Sequence, residues 1–295
     1  MHPPFFAGLA TIVEAVVTGV FFGHNYIPVR TSLRLYARGK MNFSNKVTLI
    51  TGGAGGIGVA LARALLKEGA RIVICDLDAA RLEAARAIEP RLHAIQCDIT
   101  SDADIARLER EIVTAYGGLD VLINNAASGV VYNFVTDGTA LEKAERDVRT
   151  NLIAPLTLIK RFLPHLERSA EAAIVNVSSD LANVPYPAKS TYCATKAALH
   201  SFTISLRTQL SGTRIRVIEI QPPVVDTERT RGYDTSTRTL NTLFQGEKMQ
   251  PRLFAEKVLR AMKRGDIEVR IGRSQLTYLM SRFFPMTTRR ILSRD

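Results

Sequence analysis

The sequence predicts a doubly wound α/β fold, with a parallel sheet of seven strands in the order 3-2-1-4-5-6-7 and helices on both faces. Three observations carry this. Apolar strand-like runs alternate with helix-spaced segments from Lys46 to about Ile271, as in repeated βαβ units. Several of those runs are apolar almost throughout, as expected of strands covered on both faces. A glycine-rich loop joins the first strand to the first helix, as in mononucleotide-binding halves.

The elements follow in order. Lys46–Thr51 is the first strand, and Ile57, Leu61 and Leu65 carry helical spacing up to a stop at Gly69. Arg71–Cys75 is the second strand. Asp78–Glu89 is an Ala/Arg/Glu helix ended by Pro90. Leu92–Cys97 is the third strand. Ser101–Tyr116 is a helix with Ser101 as its cap and Asp104 at the capping-box position. Leu119–Asn124 is the fourth strand, and a long helical stretch runs from about Thr139 to Leu166. Ala172–Ser178 is the fifth strand, Ser190–Ser211 a helix, and Arg214–Ile220 the sixth strand. Pro251–Arg264 is a helix with proline in its first turn. Ile267–Ile271 is the seventh strand.

Composition bounds the function. The 295 residues are 46% apolar and 23% charged, ordinary for a globular protein. The net charge is +11, but residues 1–40 hold +3 of it, residues 252–295 hold +7, and the middle only +1. A nucleic-acid enzyme carries its basic surface through the working domain, so nucleic acid is not expected as a partner. Cys75, Cys97 and Cys193 form no CxxC pair and read as small buried hydrophobes in a reducing, cytoplasmic setting. The five histidines show no ligand spacing, so no metal is expected.

The loop Thr51-Gly-Gly-Ala-Gly-Gly-Ile-Gly58 has a strand before it and a helix after it. Glycines there let backbone approach a pyrophosphate, and the helix amino terminus offers N–H groups and partial positive charge. Asp76 closes the second strand, 18 residues after Gly58. A carboxylate there accepts hydrogen bonds from ribose hydroxyls and repels a 2′-phosphate, which favours NAD; Arg81 keeps NADP open, and a helix cap is the alternative role for Asp76. Asp98 closes the third strand and Asn124-Asn-Ala-Ala127 the fourth, at the edge where ligands bind.

Tyr192 and Lys196 lie four apart on one helix face. A phenol is a poor base at neutral pH, and a neighbouring ammonium favours its phenolate. Ser179, 13 residues before Tyr192, offers a hydroxyl to a substrate oxygen, an interval that selects it over Ser178. Asn151 offers support for a water chain behind the lysine; its plain alternative is a helix-surface polar residue.

Taken together, Thr51-Gly-x-x-x-Gly-x-Gly58, Asn124-Asn-Ala, Asn151, Ser179 and Tyr192-x-x-x-Lys196 resemble the classical short-chain dehydrogenase/reductase family over roughly residues 44–271. The resemblance implies a Rossmann-like domain, NAD or NADP, and a homodimer or homotetramer. It implies that Tyr192 is the general acid/base, that Lys196 tunes it and holds the nicotinamide ribose, that Ser179 orients substrate and that Asn151 anchors a relay water. It implies a cofactor surface of Thr51, Gly52, Gly56, Ile57, Gly58, Asp76, Asp98, Ile99, Asn125, Ala126, Pro222, Val225 and Thr227 with Tyr192 and Lys196. Where the family usually has Pro-Gly after the sixth strand, this chain has Pro222-Pro223, which stiffens the turn and removes a donor. That variant, with the segments around Ser179 and Tyr192, resembles the DltE-like branch.

The ends remain as appendages to a domain spanning residues 44–272. Phe5–Gly23 is a 19-residue apolar stretch interrupted by Glu14. Within the extension of residues 1–43, a membrane-associating or packing helix, a loose extension and a true span are the readings, in that order. Residues 273–295 form a basic amphipathic tail, suited to a subunit contact, a cleft cover or an anionic membrane. Residues 228–250 fall where a substrate lid is expected. The expected activity is interconversion of a small, apolar secondary alcohol and its carbonyl. An idle NAD(H)-binding sensor or scaffold, and a membrane-surface enzyme for lipid-like substrates, are the alternatives.

Overall fold

The computed structural model describes residues 40–231 and 248–292. Phe5–Gly23 and most of the expected lid lie outside the described residues. Seven strands form one parallel sheet in the order β3-β2-β1-β4-β5-β6-β7, as the sequence predicts. They are β1 (Val47–Thr51), β2 (Arg71–Asp76), β3 (His93–Gln96), β4 (Val121–Asn124), β5 (Ala172–Val177), β6 (Ile215–Gln221) and β7 (Glu268–Arg270). The chain reverses its winding between β1 and β4, which pair Thr48 with Val121 and Ile50 with Ile123. That reversal opens the crevice in which such sheets bind ligands.

Strand alternation sends side chains to two cores. Ile50, Ile72, Ile74, Ile123 and Val175 meet α1 (Gly56–Lys67), α2 (Ala79–Ile88) and the later helix Pro251–Arg264. Leu49, Val73, Leu122 and Ile174 meet α3 (Asp102–Tyr116) and the helices packed beside it. Met41 and Phe43 are buried in the first core, and Met41 N–H bonds Lys263 C=O. The packed domain therefore begins a few residues before the boundary expected at residue 44.

Local chemistry sets most ends. Asp78 caps α2 by accepting the Arg81 N–H at 3.1 Å. Ser101 caps α3 by accepting the Asp104 N–H. The reciprocal half of the expected capping box is absent: the Asp104 carboxylate instead accepts the Asp98 N–H at 2.9 Å, tying the helix back to the exit of β3. Gly117 closes α3 at φ +79°, a conformation natural to glycine.

The long stretch expected from Thr139 to Leu166 is divided. α4 (Ala140–Val148) and α5 (Ala154–Arg168) are joined by one π turn, Arg149–Ile153. Hydrophobic spacing does not reveal such an insertion, because the helix continues on both sides; π turns of this kind occur often at functional sites. α6 (Ser190–Gln209), α7 (Pro251–Arg264), α8 (Arg273–Phe283) and α9 (Pro285–Leu292) complete the fold. Pro285 divides the tail into two helices, and α8 packs beside the short turn Asp180–Ala182. No helix among the described residues is long and apolar enough to cross a membrane.

Phe162 on α5 and Phe254 on α7 are fully buried, one in each core. Phe162→Ala and Phe254→Ala should each lower unfolding free energy by about 3–5 kcal/mol, measured by urea titration. A loss below 1 kcal/mol at either site would show that its core does not carry the fold.

Candidate active site

A cleft of about 570 Å³ lies outside the carboxyl ends of β1–β4. The glycine loop forms its floor. Gly52 has φ +59°, and a Cβ there would stand 2.8 Å from the Ala126 Cα. A Cβ on Gly58 would stand 2.5 Å from the Gly52 carbonyl oxygen. Neither contact is tolerable, so glycine is required for the loop to fold back on itself against β4. Gly55 precedes α1 with no side chain bonded to the helix's first N–H groups. Those amides face a cleft able to take a phosphate.

Gly52, Gly56, Ile57, Gly58, Asp76, Asp98, Ile99, Asn125, Ala126 and Thr227 all line this cleft, as expected. Thr51 has another task. It is 1% exposed, and its hydroxyl accepts the N–H groups of Asn125 and Ala126, each at 3.1 Å. The Asn125 amide in turn donates to the Thr51 and Gly52 carbonyls. The exits of β1 and β4 are thus pinned together beneath the cleft. The Val225 side chain packs in the core and Val225 bridges Met249, so only its main chain remains for a ligand.

The Asp76 carboxylate accepts N–H groups from Ala54 in the glycine loop and from Asp78, both at 3.3 Å. It does not cap α2; Asp78 does. Arg81, the candidate receptor for a 2′-phosphate, is paired with Glu228 at 3.0 Å and Asp78 at 3.4 Å. The Asp98 carboxylate closes a turn with the N–H and hydroxyl of Thr100. Shape, backbone amides and carboxylates all fit a dinucleotide.

The second half of the site adjoins the first. Asn151, carried on the π turn, is wholly buried rather than on the helix surface. Its Oδ1 accepts the Ser128 N–H at 2.8 Å, and its Nδ2 donates to the Ser128 carbonyl and to Thr195 Oγ1, both at 3.0 Å. Thr195 Oγ1 donates to the Tyr192 carbonyl. The cleft wall, the π turn and α6 are therefore one bonded unit. Lys196, 2% exposed, donates to the Val177 carbonyl at 2.8 Å, with its Nζ 5.8 Å from the centre of the Tyr192 ring. Ser179 Oγ donates to Asp180 at 3.1 Å and accepts the Leu181 N–H at 3.1 Å. Ser178 is turned toward β6, donating to Glu219 at 2.5 Å.

Several site residues were missed from sequence. The Asp147 carboxylate is buried and accepts the hydroxyls of Ser128 and Thr191. Its position four residues before Asn151 was the available signal. Asp180 and Lys189 are also buried, one beside Ser179 and one three residues before Tyr192. Burial pushes the Asp180 carboxyl up to about 6, opposed by its bonds from Ser179 and Leu181 and by the Lys189 charge. Behind Ser178, Glu219 Oε2 meets His200 Nδ1 at 2.7 Å. The Glu219 bond raises the His200 pKa above its usual value, against desolvation. Burial pushes the Glu219 carboxyl up, but its bonds to His200 and Ser178 prevail and lower it. Cys75, Cys97 and Cys193 are buried thiols with no disulfide.

Residues 46–237 match the short chain dehydrogenase family. The chain is 42% identical to the uncharacterized oxidoreductase DltE of Bacillus subtilis over 187 residues, 63% of this chain and 74% of that one. It is 35% identical to galactitol 2-dehydrogenase of Agrobacterium fabrum over 211 residues, 70% of this chain and 81% of that one. A short chain dehydrogenase from Burkholderia cenocepacia, solved with NADP, superposes with a TM-score of 0.72 at 27% identity, covering 86% of this chain and 100% of its own. The 3-ketoacyl-(acyl-carrier-protein) reductase of Brucella melitensis, complexed with NADH, gives 0.71 at 27% identity, covering 79% and 99%.

The two halves of the Glu219–His200 pair bound a pH window. With its pKa raised in the fold, His200 stabilises fully below about pH 6.5 and loses that contribution as pH rises through the raised value. Glu219, lowered, stabilises fully above about pH 4.5 and loses it as pH falls through the lowered value. The melting-temperature gap between the wild type and His200→Gln should be widest between these limits and shrink in alkali. A gap independent of pH would show that the pair is not ionised.

Proposed function

The chain belongs to the short-chain dehydrogenase family, in its DltE-like branch, and on that premise we propose that it uses NAD(H) to interconvert a secondary alcohol and its carbonyl, with Tyr192 as general acid/base. The observation that carries the reading is that Tyr192 and Lys196 stand together on α6, with the Lys196 Nζ 5.8 Å from the ring centre, and that Asn151 bonds this helix to Ser128 in the wall of the dinucleotide cleft. The nicotinamide cofactor, when bound, exchanges the hydride. Tyr192 Oη holds or takes the proton. Lys196 stabilises the phenolate by charge. Ser179 Oγ positions the substrate oxygen. Asn151 acts through the scaffold: its side chain is committed to Ser128 and Thr195.

Preference for NAD is supported by charge at the ribose end. Asp76, Asp78 and Glu228 stand there around Arg81, which two of them already engage. A 2′-phosphate would add two further negative charges near three carboxylates. The neighbours of Ser179 and Tyr192 are polar: a carboxylate at the serine and an ammonium at the tyrosine ring. They support a hydroxylated substrate over the apolar one expected from sequence. Similarity to galactitol 2-dehydrogenase points the same way.

A second reading concerns the tail. Leu276, Leu279, Phe283, Phe284 and Met286 are exposed on α8 and α9 beside Arg273 and Arg282, a pattern suited to an anionic membrane surface. Sedimentation with anionic and neutral vesicles tests it; equal recovery in both pellets removes it.

Purified Tyr192→Phe should lose activity by at least about a hundredfold while still quenching or enhancing NADH fluorescence on binding. Turnover near wild type would overturn the acid/base assignment. With a polyol and sugar panel, wild-type kcat/KM should be higher with NAD than with NADP, and Asp76→Ala should narrow the ratio. A wild-type preference for NADP would refute the cofactor reading.

A further inference from the structure

We propose that Lys189 is a second cation acting on Tyr192, its charge moderated by the buried Asp180 carboxylate, so that it joins Lys196 in setting how readily the phenol releases its proton. The proposal rests on the reading of Tyr192 as general acid/base, and makes Lys189 and Asp180 positioning residues.

The geometry is that of a flanked ring. Lys196 stands four residues after Tyr192 on the same face of α6, and Lys189 closes the turn that leads into that helix, three residues before Tyr192. The Lys189 Nζ lies 5.5 Å from the ring centre and the Lys196 Nζ 5.8 Å, both within the reach of a cation over an aromatic face. Lys189 ends the short turn Pro187–Lys189, whose last N–H bonds the Tyr186 carbonyl, so its backbone is set before α6 begins.

Burial makes the arrangement costly unless it is paired. Lys189 is 7% exposed and Asp180 8%. An isolated buried ammonium is strongly disfavoured and persists only against an anion. Asp180 is a buried carboxylate on which the Lys189 charge acts. The same carboxylate accepts the Ser179 hydroxyl and the Leu181 N–H. The carboxylate therefore holds the substrate-facing serine, while the ammonium bears on the proton-transfer ring.

Other titratable groups around Tyr192 are already engaged. Asp147 on α4 accepts Ser128 and Thr191. Glu219 on β6 is bonded to Ser178 and His200. Cys193 is a buried thiol against Tyr186, pushed up chiefly by burial. Arg270 on β7 pairs with Glu268. Among the described residues, Lys189 and Lys196 are the cations set within about 6 Å of the ring centre.

The test is the acid limb of kcat/KM in alcohol oxidation, read beside phenolate absorbance in the near ultraviolet with Tyr192→Phe as the blank. Lys189→Met should move both midpoints to higher pH by about one unit, a tenfold loss of rate below the limb. Lys189→Arg should restore them, and Asp180→Asn should move them the other way. Because Lys189→Met leaves a buried carboxylate unpaired, the Asp180→Asn/Lys189→Met pair is the folding control and should still show the alkaline shift. Midpoints in both Lys189→Met and the double variant equal to wild type, with Tyr192→Phe inactive, would overturn this proposal alone. An active Tyr192→Phe that keeps the wild-type limb would overturn the acid/base reading and this proposal with it.

Discussion

One buried amide holds the two halves of this site together. The Asn151 side chain joins the main chain of Ser128, at the exit of β4, to Thr195 in the helix that carries Tyr192 and Lys196. Its donors and acceptor are all used inside the protein, where an unmade bond costs about 1–3 kcal/mol. The cofactor cleft is built at β1–β4 and the candidate catalytic side chains at the exit of β5 and on α6. Without a rigid link those parts would be free to shift by the fraction of an ångström that proton transfer does not tolerate.

A second link works beneath the cleft. Thr51 and Asn125 exchange side-chain bonds across the β1–β4 switch point. The glycine loop, stripped of side chains where it meets Ala126, therefore has a fixed position despite its composition. Flexible residues and a rigid loop are compatible here, because the constraint comes from hydrogen bonds and close packing, not from intrinsic backbone stiffness.

Much of this was legible in the sequence for identifiable reasons. Strands buried on both faces advertise themselves as unbroken apolar runs, so β1, β2, β4 and β5 stand out; their order follows from the fold class. Gly52, Gly58, Asp76, Ser179, Tyr192 and Lys196 were visible because their spacing is fixed by local geometry, a turn or one helix face. Thr51, Val225 and Asn151 show the limit. Their positions were recognisable, but what each side chain touches depends on strands and helices remote in sequence. Asp180 and Lys189 were passed over because a charged residue in a short turn reads as solvated. Only tertiary packing puts both inside: the Asp180 turn against α6 and α8, the Lys189 turn against α6.

The π turn at Arg149–Ile153 has a consequence for how the chain tolerates change. A π turn closes its hydrogen-bonded ring over five residues where an α turn uses four. The helix on either side can keep its phase while one additional residue is housed between them. Residue count and helical phase are thereby uncoupled at a single place, and Asn151 lies within it. Loss of one residue inside this turn would leave a regular helix with α5 still facing its core. It would remove the bulge that sets Asn151 in its pocket. The same deletion anywhere within α5 would rotate the remainder by about 100° and bury the wrong face. Length variation in this helix thus has one site where the fold would survive it, and that is the site that holds Asn151.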